Sequence, residues 1–580
     1  MSPTDRTVRI LVPVVFWLVV FGVAPAHALT VEIDVPDELR PLLTRHLDAS
    51  RAARLDETFS DEEITRLQGL SETSARALLA TEGYFAPRIL STRRGDTLQF
   101  MIKPGARTEV RAVDIRFIGA LADAPGSRPL QGRITRSFAL KPGMPFRQLD
   151  WDTAKAGALA PLVASQYLAA RIAESEVRID PIAHVADITL TLDSGPAFFY
   201  GQPVINGASR YPVSIARKLA PMQPGQPVNQ QDLLDYQAAL EASGYYSQAS
   251  VRIDPDPATA AAAPIRIEVV ERPEKRLSLG AGVSTDTGAR VQGEWLSRNI
   301  DNRGLRLRLD ARLETTSQRA GAELTWPRDD KGYVHSLGIQ PRREDIRGQE
   351  TEAVVVAGRR SRERGQIETV LSLQYQTERL KLGTTLDSRN EALTTTYGWT
   401  QRAVGRGFYP RSGHVTSFQV GGATDALLSD TSFLRLYGRH TQYVSLGRSD
   451  RLLARIELGS VISDSRNGIP TDFLFRAGGD NSVRGYGYQS LGRSLDGGVA
   501  SVRYLATGSL EYNRFFTRDW GMALFVDAGD AADEPNRLDP VFGVGAGVRW
   551  RSPVGPVNLD LAYGEATQKL RLHFSLGVSF

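Results

Sequence analysis

The chain contains no cysteine, and beyond its first 28 residues it contains no long apolar run. The first absence removes disulfides and thiolate zinc sites, so packing and strand pairing must hold the fold. The second removes membrane-spanning helices from the rest of the chain, because such a helix needs roughly 20 consecutive apolar residues. An excess of one charge is missing too. Seventy basic and 66 acidic residues are well mixed, which leaves +4 and no Lys/Arg block of the kind that marks a nucleic-acid face. Histidine is scarce, at seven residues, with neither an H-E-x-x-H motif nor an i, i+4 pair for metal. No G-x-S-x-G elbow occurs. Gly543-x-Gly545-x-Gly547 lacks the third spacing of a dinucleotide fingerprint and no helix pattern follows it, so it reads as a strand that bends or packs closely. No catalytic residues, metal ligands or cofactor are therefore expected, and the chain does not read as an enzyme.

What is present begins at the N-terminus. Arg6 and Arg9 precede the apolar run Ile10 to Val23, and Ala26-His27-Ala28 supplies small residues at a cleavage site. This is the order of a secretory signal peptide over 1–28, and the run is short for a transmembrane anchor. A mature, exported chain starting near Leu29 is expected. Its length is too great for one core, so several domains should follow. Hydrophobic residues make up 41%, an ordinary value that does not exclude a transmembrane β-barrel, whose strands alternate apolar with polar.

The first half repeats itself. Lys141-Pro142-Gly143-Met144-Pro145-Phe146 matches Gln223-Pro224-Gly225-Gln226-Pro227-Val228, and Asp150 matches Asp232 at the same offset. Helical stretches follow at Trp151 to Leu168 and Leu233 to Ser243, then Arg178-Ile179-Asp180-Pro181 and Arg252-Ile253-Asp254-Pro255. The shorter offset there implies an insertion in the earlier copy. Gly244-Tyr245-Tyr246 echoes Gly83-Tyr84-Phe85, which suggests a third, more divergent copy upstream. Each copy reads as strand, helix, helix, strand, strand. Val113, Ile115 and Phe117 share one strand face, and Ile188, Leu190 and Leu192 share another. The glycine before the aromatic pair is expected just past a helix end.

From about Arg276 the texture changes to period two. Leu277, Leu279, Ala281 and Val283 alternate with polar or small residues, as do Leu305 to Leu313 and Val557 to Tyr563. Leu570, Leu572, Phe574, Leu576, Val578 and Phe580 form the clearest run. A soluble antiparallel sheet shows the same alternation. The run lengths, near the roughly 9 to 11 residues a tilted strand needs to cross a bilayer, favour a membrane barrel. A closing aromatic also suits an interfacial girdle.

Four segments carry a resemblance. Phe475 to Tyr486 ends in Val483-Arg484-Gly485-Tyr486; Phe525-Val526-Asp527-Ala528-Gly529 reads F-x-D-x-G; Gly543 to Tyr563 is a glycine-rich pair of strands; Gly407 to Gly413 holds P-x-x-G. In chain order, with Gly407 to Gly413 first, they resemble the BamA/TamA superfamily of outer-membrane assembly proteins. Three repeats resemble the branch of the translocation and assembly module subunit TamA more than BamA, which has five. The resemblance implies α+β POTRA repeats (β-α-α-β-β) at 29–107, 108–195 and 196–273, then an antiparallel transmembrane β-barrel of sixteen strands at 274–580.

It also implies a V-R-G-Y loop folded into the lumen, with Val483, Arg484, Gly485 and Tyr486 at its tip. Phe525, Asp527 and Gly529 are its expected partners, since Asp527 lies in opposite phase to Leu524 and Val526. A lateral seam is expected between the first and last strands, at Leu277, Leu279, Gly280 and Gly282 against Phe574, Gly577 and Phe580, with the glycines weakening packing across it. The function implied is insertion or export of β-barrel proteins such as autotransporters. A two-partner-secretion pore for one dedicated substrate, or a passive porin, are the alternatives. Expected partners are unfolded outer-membrane proteins, outer-membrane lipid and an inner-membrane-anchored, TamB-like periplasmic protein, with no nucleic acid.

Overall fold

The computed structural model describes residues 29–55, 59–383, 386–405, 409–495, 497–553 and 555–576. The expected signal peptide, Gly407 and Phe408 of the turn motif, and Gly577 and Phe580 of the terminal strand lie outside the described residues.

The first half builds three small sheets of one design. The first comprises β1 (Thr30–Asp34), α1 (Arg40–His46), α2 (Asp48–Ala52), α3 (Asp61–Thr81), β2 (Arg88–Arg94) and β3 (Thr97–Lys103). The second comprises β4 (Glu109–Ile118), α4 (Ala120–Asp123), α5 (Arg128–Ser137), α6 (Gln148–Val163), β5 (Arg171–Asp180) and β6 (Val185–Asp193). The third comprises β7 (Tyr200–Asn206), α7 (Val213–Lys218), α8 (Gln230–Ala242), β8 (Tyr246–Arg252) and β9 (Ala263–Glu271). In each, the strand that comes last in sequence lies in the middle: β1-β3-β2, β4-β6-β5 and β7-β9-β8. β3 runs parallel to β1 and β6 parallel to β4, which requires crossovers, and the helices supply them.

Burial explains the middle position. Leu98, Phe100 and Ile102 of β3, Ile188, Leu190 and Leu192 of β6, and Ile265, Ile267 and Val269 of β9 each form a period-two row no more than 6% exposed. Such a row needs a helical cover on that face and a strand on either side. Ser60 and Glu63 form a capping box that starts α3. Gly83 and Gly244, at φ +92° and +84°, follow α3 and α8 in the left-handed conformation expected there. A Cβ on Gly83 would fall 2.2 Å from the Phe146 carbonyl oxygen, so glycine is also needed for that close approach.

The helix count departs from the expected two in the first two repeats, which carry three. Leu47 adopts an extended conformation between α1 and α2, and Pro125 with Gly126 at φ +83° separates α4 from α5. The inserted residues of the second repeat lengthen α6 relative to α8, and also the connection that leads into β5.

Packing divides the chain into two units. One runs to Gln202 and includes Pro224–Asp232 and Ile253–Pro264; the other holds the rest of the third repeat with everything after it. The second unit is dominated by one sixteen-stranded antiparallel sheet in sequential order. The alternating runs of the sequence become its first (Lys275–Ser284), third (Arg306–Glu314), fifteenth (Gly555–Gly564) and sixteenth (Lys569–Leu576) strands.

The sheet is inside out by the standard of a water-soluble protein. Leu279, Leu313, Leu373, Ile456, Leu524 and Leu572 are exposed, while Gln376, Glu378, Asn390, Asn513 and Asp527 are buried. Aliphatic side chains face outward and polar ones inward along the same strands, the arrangement lipid demands of a barrel. Trp520 and Trp550 stack at 5.3 Å at the strand ends near the rim that carries the third repeat, and Trp326 projects from that rim. No helix among the described residues is long and apolar enough to cross a membrane.

A barrel whose ladder persists in mild detergent should migrate faster unboiled than boiled on a denaturing gel. A single position at all temperatures would contradict that reading.

Candidate functional site

The connection between the eleventh strand (Asp450–Ile462) and the twelfth (Tyr504–Phe515) supplies the site. Its start is pinned by buried Glu378, which accepts from Thr471 N at 3.0 Å and Thr471 Oγ1 at 2.7 Å. Two backbone exchanges, Phe475 with Val502 and Ala477 with Leu491, make the segment fold back on itself. Phe473, Phe475, Ala477 and Val502 then pack with Phe433 and Val461 of the barrel wall. The tip is thereby delivered inside, where Val483 is fully buried, Arg484 is 5% exposed and Tyr486 is 3% exposed.

Arg484 is the centre of a charged cluster. Its Nε and Nη2 donate to Asp527 Oδ2 and Oδ1 at 2.7 and 3.0 Å, and its backbone N donates to Oδ2 at 3.0 Å. Nη1 reaches Glu511 Oε2 at 2.6 Å and Asp560 Oδ2 at 3.1 Å. The guanidinium also lies over the Phe525 ring, 3.4 Å from its centroid. Arg549 joins the same acids, donating to Glu511 at 2.9 and 3.2 Å and to Asp560. Ser509 Oγ donates to Asp527 at 2.6 Å. Two guanidiniums thus face three carboxylates in a space closed to water. A planar fork can satisfy several oxygens at once, which an ammonium cannot.

Glycines make the room. A Cβ on Gly543 would sit 1.8 Å from the Arg484 carbonyl oxygen, one on Gly545 would sit 2.4 Å from the Phe525 ring, and one on Gly547 would strike the Asp560 carboxylate. These residues alternate along the fourteenth strand (Val541–Ser552), so its inward face is bare beneath the loop. Gly485, at φ +93°, passes within reach of Gly564 on the next strand. Tyr486 closes the tip: its hydroxyl donates to Phe542 O and accepts from Ala566 N, each at 3.0 Å. Gly529 does not join this group, since its nearest neighbours are Ala506 and Thr507 on the adjacent strand.

The seam lies beside the loop. The first strand pairs with the second over its whole length, from Lys275 with Ser297 to Ser284 with Gly288. Among the described residues no ladder joins the first strand to the sixteenth. They meet at Thr285, whose N donates to Phe574 O at 3.4 Å and whose Oγ1 accepts from Phe574 N at 3.0 Å. Leu277 and Leu279 point outward, 67% and 80% exposed.

A Cβ added to Gly280 would fall 3.1 Å from the Gln292 side chain of the second strand, and one added to Gly282 would fall 3.1 Å from Arg290, while Gly577 and Phe580 of the expected seam lie outside the described residues.

A second polar chain ties the loop to the seam. Gly485 N donates to His573 Nε2 at 3.0 Å, His573 Nδ1 donates to Asp480 Oδ1 at 2.6 Å, and Asp480 N donates to Asp286 Oδ2 at 3.1 Å. Asp286 follows the first strand and His573 is on the last, so the loop bridges both sides of the gap. The Asp286, Asp480 and His573 side chains are close enough together to hold a cation. A metal on Nδ1 would place the imidazole proton on Nε2, facing the Gly485 N–H, so the geometry fits a hydrogen-bonded clasp better.

Sequence reading brought Arg484, Asp527 and Phe525 together but missed Glu511, Arg549, Asp560, Asp480 and His573. A signal was present. Glu511 neighbours Leu510, Asp560 lies between Leu559 and Leu561, and Arg549 shares the phase of Gly543 to Gly547. Charged residues in the inward phase of successive strands mark a lumenal cluster.

Removing one partner of a buried ion pair costs about 3 to 5 kcal/mol. Arg484→Ala should therefore lower the unfolding midpoint more than Asp527→Ala, which leaves the guanidinium Glu511 and Asp560. The double variant should fall well short of the sum of the two, and additivity would refute the pairing. Gly543→Ala should also destabilise, whereas Gly358→Ala, with nothing within 4 Å of the new methyl, should not.

Comparison with known proteins agrees with this architecture. The Omp85 superfamily domain matches residues 267–580, more than half of the chain. The crystal structure of BamA from Haemophilus ducreyi lacking POTRA domains 1–3 is similar with a TM-score of 0.65 at 18% identity, covering 80% of this chain and 99% of that one. CdiB from Escherichia coli gives a TM-score of 0.46 at 11% identity, covering 89% and 98%. Outer envelope protein 80, chloroplastic, from Arabidopsis thaliana is 31% identical over 150 residues, which is 25% of this chain and 20% of that relative. The chain belongs to the Omp85 superfamily, whose barrels lie in the outer membrane with their POTRA domains in the periplasm.

Proposed function

We propose that this protein, an Omp85 insertion or secretion factor, works as an assembly factor that inserts or exports β-barrel proteins such as autotransporters through its seam. The observation that carries the reading is that, among the described residues, no ladder joins the first strand to the sixteenth. Unpaired backbone groups are costly in lipid, so two strand edges that no ladder joins among the described residues would be poised to pair with an incoming strand. Extended substrates would first be held at the edge strands of the three small sheets, where backbone pairing needs no particular sequence. A TamB-like periplasmic protein, anchored in the inner membrane, is the partner we assign to those sheets, and the three-fold repeat supports it.

The lumenal loop favours this over a two-partner-secretion pore or a porin. Its tip is packed against the wall by the Arg484 cluster and fills space that a substrate passing through the lumen would need. The absence of native cysteine makes the test clean. Thr285→Cys with Phe574→Cys should form a disulfide that blocks insertion of a β-barrel substrate in proteoliposomes, and reductant should restore it. A locked protein that still inserts substrate overturns the seam mechanism. One that still exports a soluble passenger supports the pore instead.

A further inference from the structure

Two of the seven histidines meet on the outer wall of the barrel. His414 is the second residue of the ninth strand (Gly413–Ala423), and His440 lies on the tenth (Phe433–Leu446). They are diagonal neighbours, because His414 pairs with Gln442 and Thr416 with His440. Far apart in sequence, they are brought together only by the ladder. Both share the outward phase of exposed Phe418, Leu434 and Val444. The sheet is antiparallel and sequential, so the ninth strand starts, and the tenth ends, at the periplasmic rim from which the first strand rises. Trp399 and Phe418, paired across the eighth and ninth strands, stand one step deeper and hold the aromatic boundary. The two imidazoles are half-buried beside the periplasmic headgroups, where ions reach them.

Their surroundings suit a metal. The ring centroids are 5.8 Å apart. With metal–nitrogen bonds of about 2.0 to 2.1 Å, two imidazoles on one ion have centroids roughly 4.5 to 6 Å apart. Each ring also has an oxygen on one nitrogen: His440 Nδ1 lies 2.8 Å from Thr416 Oγ1, and His414 Nε2 lies 3.5 Å from Gln401 Oε1. When those two nitrogens carry the ring protons and donate them, His440 Nε2 and His414 Nδ1 keep their lone pairs. An oxygen partner on the far nitrogen is what orients a metal-binding histidine. Gln442 supplies a third donor atom. Its Nε2 donates to the Gly413 and Tyr443 carbonyls at 3.1 and 3.3 Å, and its Oε1 carries no hydrogen bond among the described residues. His335 and His573, by contrast, are each taken up by an aspartate.

We infer that His414 and His440, with Gln442 Oε1, bind a divalent d-block cation at the periplasmic edge of the barrel wall. Imidazole nitrogens select copper, nickel or zinc over magnesium and calcium, which prefer all-oxygen sites. Copper(II) stands highest in that order and reports its own ligands, so it is the probe. The site does not depend on how the seam works. Copper(II) is titrated into the full chain, purified without a histidine tag and held in phosphatidylcholine nanodiscs, and followed by electron paramagnetic resonance. The native chain should bind one copper whose spectrum carries splitting from two imidazole nitrogens. Thr416→Val should weaken binding by roughly 10- to 100-fold with both nitrogens retained, since it removes only a supporting oxygen. His414→Asn and His440→Asn should each weaken it further and leave a single nitrogen, while the folded, heat-modifiable band persists. His335→Asn should change nothing. A native spectrum with one nitrogen or no bound copper would overturn the proposal, as would binding that survives both His→Asn variants or is lost with His335→Asn.

Discussion

A guanidinium buried against a barrel wall must find carboxylates, and much of the second unit is arranged so that Arg484 does. Asp527, Glu511 and Asp560 come from three different strands, so the arginine cross-links the wall as well as fixing the loop. Arg549 pairs with Glu511 and Asp560 and so offsets the repulsion between those two acids. The arrangement has a steric requirement as strict as the electrostatic one. Backbone can approach the wall at Arg484 only because Gly543, Gly545 and Gly547 leave that face bare. Charge and glycine placement are two halves of one constraint.

The same loop determines what the seam is. Among the described residues fifteen strand junctions are closed by ladders, and the first and last strands meet near Thr285 and Phe574. The Asp286–Asp480–His573 chain reinforces that contact from the lumenal side, and it runs through the loop and not directly between strands. Through His573 and Asp480 the loop thus links the last strand to Asp286, just after the first. The periplasmic rim is the opposite case, since Arg298, Asn299 and Tyr245 lock the third repeat to the turns.

Sequence alone determined the division into a repeat region and a barrel, because each rests on local periodicity. The P-x-G-x-P and R-I-D-P echoes fixed the repeats, and the alternation from Leu570 to Leu576 fixed a strand with a lipid face. Phase also sufficed to turn Asp527 inward, since a strand side chain has only two directions to choose between. Helix subdivision in the first two repeats was not legible, because it turned on the backbone at Leu47 and on one Pro-Gly pair. Tertiary structure alone decided which inward charges meet. Glu511, Asp560 and His573 are brought to Arg484 and Gly485 by barrel curvature and by a loop whose start is pinned through Thr471 to Glu378 on a distant strand. Periodicity reports which way a side chain points, and only closure of the sheet decides what stands opposite it.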